Sequence, residues 1–217
     1  QATAMFGNMP ASQSPSETQA LFKGGERREV KALEQAHFTL AFESPGYMAN
    51  DFYAAQVYAT ALGGGMSSRL FQEIREKLGL CYAIYSFHWA FSDTGLFGLH
   101  AATSQEDIAA LMPVIVEELK SASETITSDE VARSRAQIRA GLMMALESPA
   151  ARAGQIARQI LVHGRVLSME EVSSKIEAVT ADDIRRVAHE TFVGSTPTLT
   201  AVGPVEGIMT ADELASR

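Results

Sequence analysis

The sequence predicts an α+β domain, an antiparallel sheet with helices packed on one face. Three observations carry that class. Apolar residues alternate with period two in the first half, helical periodicity with cap signals fills most of the second half, and one short strand signal lies near the end. Strands and helices that segregate in this way build a layered α+β domain, and no internal repeat competes with that reading.

The first strand is read in "HFTLAFE", where Phe38, Leu40 and Phe42 alternate with His37, Thr39, Ala41 and Glu43. Ser44-Pro45-Gly46 ends it with turn chemistry. Ala54, Val57, Tyr58, Ala61 and Leu62 share one helical face, and Gly63-Gly64-Gly65 stops that helix. A second helix follows from about Ser67 to Leu78. Tyr82 to Phe91 and Leu96 to Thr103 read as a hairpin around "SDTG".

A long amphipathic helix from about Gln105 carries Ile108, Leu111, Met112, Ile115, Val116 and Leu119 on one face, with Pro113 expected to kink or split it. Thr127-x-x-Glu130 is a capping box for a helix carrying Val131, Ile138, Leu142 and Leu146. His163-Gly164 has the chemistry of a helix end, and Ser168-x-x-Glu171 opens the next helix. A helix from about Ala181 and the strand "TLTAV" complete the fold. Residues 1–24, small and polar with Pro10 and Pro15 among serines, are expected to form a linker or extended arm ahead of a domain at 25–217. A chain that starts at Gln1 with such a segment is expected to be a mature product or a fragment.

The bulk numbers bound the function. With 46% apolar and 20% charged residues the chain is an ordinary globular protein, and a net charge of -8 without a basic stripe argues against nucleic acid as a partner. No apolar run is long enough to span a bilayer, and no charged segment leads into an apolar one as in a signal peptide. Cys81 is the only cysteine, which excludes an internal disulfide and a cysteine-based zinc cluster.

Candidate chemistry is sparse. A helical zinc site needs two histidines one turn apart, as in H-x-x-E-H, and none of His37, His88, His100, His163 or His189 has such a neighbour. If Asp93 and Thr94 form a two-residue turn, His100 lies opposite Phe87 and points to the other face from His88. No G-x-S-x-G elbow is present, and "GGGMSSRL" lacks the Lys-Ser/Thr ending of a phosphate loop. Arg75, in the last turn of its helix, and Tyr82, at a strand start, flank a one-glycine turn. Spacing alone gives both a structural role; the alternative is a guanidinium and a phenol that bind peptide carbonyls or a developing oxyanion.

The stretch "LGGGMSSRLFQEIREKLGLCYAIYSFHWAFSDTGLFGLHAATS", residues 62–104, closely resembles the second half of the M16 metallopeptidases, of processing-peptidase and pitrilysin type. "ARSRAQIRAGLMMALESPAARAGQIARQILVHGR", residues 132–165, resembles the same half. The resemblance covers about residues 25–205 and implies the fold of a LuxS/processing-peptidase-like half. It implies two homologous halves closing around an extended peptide. Zinc is held in the first half by an H-x-x-E-H helix and a distant glutamate, while the second half has lost the metal. That second half supplies an Arg and a Tyr seven residues apart, matched here by Arg75 and Tyr82. Gly63, Gly64 and Gly65 would lie on the rim of the cavity. H-x-x-E-H is absent from this sequence, so the resemblance implies a chain that is inactive alone and binds no catalytic zinc. Its implied partners are an N-terminal H-x-x-E-H half or a homologous catalytic subunit, and a peptide substrate, with dimerisation an open possibility. The parent is a single-chain peptidase, a heterodimeric one with this as the metal-free subunit, or a structural assembly like the core subunits of cytochrome bc1. The mitochondrial α-type subunit carries a much longer glycine-rich loop, which argues against that identity.

Overall fold

Four apolar side chains on one face of a nine-residue strand set the architecture. In the computed structural model, which describes residues 1–10, 18, 20–192 and 195–216, β2 (Ala36–Ser44) buries Ala36, Phe38, Leu40 and Phe42 and sits at the centre of a five-stranded sheet. The alternation read from the sequence is thus a helix-covered face and an open face. β3 (Ala83–Ala90) and β4 (Gly95–Thr103) form the hairpin beside β2, and β5 (Thr198–Gly203) lies on its other side, giving the order β1-β5-β2-β4-β3.

The sheet is antiparallel except at one edge. β1 (Gly25–Val30) runs parallel to β5, because β5 inserts between β1 and β2 and holds both apart. The β1–β2 connection must then cross the end of β5 at close range. Lys31 donates its backbone N–H to the Gly203 carbonyl, and Gly203 has φ +114°; a Cβ there would lie 2.4 Å from the Gln35 carbonyl oxygen.

The hairpin loop is longer than expected. Ala90 pairs with Gly95, and Phe91 N–H bonds the Thr94 carbonyl at 2.8 Å, so four residues rather than two make the connection. His100 therefore pairs with Tyr85, not Phe87. A two-residue shift preserves the face, so His88 and His100 still point to opposite sides of the sheet.

Helices cover one face. α2 (Phe52–Gly63), α3 (Ile108–Thr125) and α7 (Ala181–Phe192) carry the core, with Tyr58 stacked on Phe97 at 4.9 Å and Phe192 edge-on to Phe42 at 4.6 Å. Pro113 does not split α3. It stands near the start of the helix, where a missing N–H removes a single early bond. α4 (Ser128–Ala145) begins at the expected capping box, and it packs with α6 (Met169–Glu177) on α2 rather than on the sheet. α5 (Pro149–His163) is capped by Ser148 and ends on Gly164 at φ +67°, yet buries none of its side chains. α1 (Ala2–Phe6) lies within the expected linker, whose residues 11–17 and 19 fall outside the described residues, and α8 (Ala211–Ala215) closes the chain.

Candidate functional site

Arg75 and Tyr82 occupy the two ends of a tightly tied turn. The segment after the glycine run was expected to be an ordinary helix; instead Phe71–Lys77 winds as a π-helix, with Leu70 and Ile74 buried as its anchors. Leu80 N–H returns to the Ile74 carbonyl at 3.1 Å, and Gly79 supplies the left-handed residue at φ +67° that the reversal needs. Thr103 Oγ1 donates to the Leu80 carbonyl at 2.6 Å, and Tyr82 N–H donates to the Ala102 carbonyl at 2.8 Å. Four bonds or backbone constraints thus fix the path between the two side chains.

The polar ends of both side chains face solvent. Arg75 is exposed, with its guanidinium carbon 4.7 Å from the centroid of the Phe71 ring, and Tyr82 is 58% exposed. Neither makes a side-chain hydrogen bond or ion pair among the described residues. The Glu73 carboxylate on the same helix is paired with Lys77 at 2.6 Å. Phe71 has no role in the sequence reading above. The signal that could have revealed it is an aromatic residue four positions before an arginine on one helix.

The three glycines divide by function. Gly63 ends α2 and is buried; a Cβ there would lie 2.4 Å from the Ser86 backbone nitrogen, so its smallness is a packing requirement. The Gly64 carbonyl accepts a bond from the Gln137 side chain, and a Cβ at Gly65 would lie 3.3 Å from that same side chain. Met66 follows, 75% exposed.

Histidines do not assemble into a site. His88 lies on the helix side and donates Nε2–H to the Pro45 carbonyl at 2.8 Å; burial holds its pKa below the usual value, the Pro45 bond opposing. His100 stacks near His37 at 5.7 Å on the open face, where burial and the His37 charge lower its pKa. Among the described residues no three His, Cys, Asp or Glu side chains are grouped to hold a metal ion. The described residues therefore offer no donor set that fits a catalytic zinc. No helix among the described residues is long and apolar enough to cross a membrane.

A cavity of about 740 Å³ lies among α2, α4, α5 and α6, and neither Arg75 nor Tyr82 lines it.

The fold defines a class: a five-stranded α+β half with helices on one face. A chain in the structure of Complex III2 from Candida albicans, Inz-5 bound, shares that fold at a TM-score of 0.88 and 23% identity, covering 99% of this chain and 54% of that one. The family described as "Peptidase M16 inactive domain" matches residues 1–138. A protein of Rickettsia bellii named an uncharacterized zinc protease is 35% identical over 94% of this chain and 50% of its own length. A zinc protease of Streptomyces coelicolor, also named uncharacterized, is 36% identical over 100% of this chain and 48% of its own. The chain belongs to the M16 peptidase family, in its inactive C-terminal domain. It spans about half the length of these relatives.

Proposed function

We propose that this chain is the substrate-binding half of an M16 zinc metalloendopeptidase, inactive alone, that holds an extended peptide through Arg75 and Tyr82. The observation that carries the reading is the pair itself. Two strong donors seven residues apart are exposed, with no hydrogen-bond or ion-pair partner among the described residues, on a turn whose backbone is tied at both ends. A side chain needed only for the fold would be expected to have a partner there.

The chemistry follows from the two groups. Arg75 presents several N–H donors in one plane and can grip a peptide carbonyl without reading the adjacent side chain. Tyr82 presents a single O–H donor, suited to an oxygen on which negative charge develops during peptide-bond cleavage. Both gain strength when a second half excludes water from them. Zinc, supplied by a partner half or catalytic subunit with an H-x-x-E-H helix, would activate the attacking water. That relatives are zinc proteases about twice as long supports a partner half. The exposed Gly64–Met66 loop is assigned to the rim of the peptide cavity; Gly63 contributes by packing.

The test uses the assembled peptidase. Arg75→Ala and Tyr82→Phe are each expected to lower kcat/KM for an extended peptide about a hundredfold, with zinc content by metal analysis unchanged. Full turnover in both variants returns the pair to a structural role.

A further inference from the structure

We propose that the cavity among α2, α4, α5 and α6 binds an organic carboxylate with an apolar tail. It stands apart from the Arg75–Tyr82 turn and does not depend on the peptidase reading.

The volume, about 740 Å³, is that of a small-molecule site. Its walls are mainly apolar, with Phe52, Ile138, Leu142, Val162, Val172 and Ile176 contributing. The charge around it runs against the rest of the molecule. The chain carries a net charge of -8, yet no Asp or Glu lines this cavity, while Arg158 and His163 do.

Arg158 is the recognition group. It projects from α5, and its only hydrogen bond among the described residues is a long one of 3.4 Å to the Tyr47 hydroxyl. No carboxylate of the described residues pairs with it. A guanidinium at the edge of an acid-free apolar cavity is complementary to a ligand with one anionic end and a hydrocarbon body.

The cavity is open because α5 stands off the core. None of its side chains is buried, and a Cβ at Gly154 on α5 or Gly141 on α4 would meet nothing within 4 Å. Leu161 is 86% exposed and Ile160 49% exposed, while Val162 of the same helix lines the cavity. A hydrocarbon tail between α5 and α4 would cover apolar wall that is otherwise wet.

Calorimetric titration of the chain with decanoate, decanol and N-acetyl-trileucine tests the proposal. Decanoate is expected to saturate one site and to bind about tenfold or more tighter than decanol. Arg158→Gln is expected to erase that preference and Arg158→Lys to keep most of it. Both substitutions lie on an exposed helix position, and the melting temperature checks that each variant is folded. Equal binding of decanol and decanoate, or undiminished decanoate binding by Arg158→Gln, overturns the site. Absence of decanoate binding overturns the hydrocarbon-tailed ligand, whether or not the peptide carboxylate binds.

Discussion

The Arg75 guanidinium lies over the Phe71 ring, 4.7 Å from its centroid and four residues away along a π-helix. The wider turn of a π-helix brings residues four apart nearly into line, so the ring serves as a shelf for the cation. An exposed arginine otherwise samples many rotamers, and ordering it on binding costs free energy. The shelf reduces that cost in advance.

A double-mutant cycle on the assembled peptidase measures this. Phe71→Leu is expected to weaken cleavage in the Arg75 background and to change little once Arg75 is Ala. The coupling free energy expected for an exposed cation–π pair is about 0.5–1 kcal/mol. Additive effects of the two substitutions would assign Phe71 to packing alone.

Gly63 and Gly65 make opposite predictions from one motif. Gly63→Ala places a methyl group against backbone atoms, 2.4 Å from Ser86 N and 2.9 Å from the Tyr85 carbonyl carbon, and backbone cannot rotate aside. The expected cost is about 1–3 kcal/mol. Gly65→Ala meets only the flexible Gln137 side chain at 3.3 Å and is expected to leave the melting temperature nearly unchanged. Thermal unfolding of the two variants side by side decides it.

Much of the fold was legible because its signals are local. Phe38, Leu40 and Phe42 need only their own alternation to mark β2, and Thr127 and Glu130 need only each other to cap α4. What could not be read depended on distant partners. β1, "GERREV", shows no apolar alternation, since it is an edge strand whose place is set by pairing with β5, some 170 residues on. The hairpin register failed by two residues because the Phe91–Thr94 bond, and Gly46 packed against it, close a longer loop than Asp-Thr-Gly suggests. Arg75 and Tyr82 were legible as a spaced pair only through family resemblance. Their freedom from partners, and the π-helix beneath them, are properties of the folded chain.

Arg69 and Glu130 form the most enclosed ion pair among the described residues, with side chains 11% and 15% exposed and two 2.9 Å bonds between guanidinium and carboxylate. Thr127 N–H and its hydroxyl donate to the same carboxylate, so one group caps α4 and anchors the helix that carries Arg75. Burial pushes the Glu130 pKa up, but the Arg69 and Thr127 bonds outweigh it and the net direction is down. A depressed carboxylate stabilises the fold fully above its unfolded value near 4.5, and that contribution is lost as pH falls through the folded value. Glu130→Gln is expected to cost on the order of 3 kcal/mol at pH 7. The difference from the unaltered chain should shrink in urea titrations repeated well below pH 4.5.

Cys81 reports on the turn that fixes Tyr82. The residue is 7% exposed, and burial pushes the thiol pKa up to about 11, with the Arg75 charge a smaller pull downward. At pH 8 the thiolate fraction is then about 10⁻³. Labelling by a disulfide reagent is expected to be complete in denaturant and at least about a hundredfold slower in the folded chain. Cys81 lies between Leu80 and Tyr82, whose backbone is bonded to Thr103 and Ala102. Thr103→Val removes one of those bonds, that from its hydroxyl to Leu80, and is expected to speed labelling without a matching loss of global stability. Fast labelling of the unaltered folded chain would mean that the turn opens readily. Tyr82 would then be held too loosely to aim a donor at a reacting oxygen.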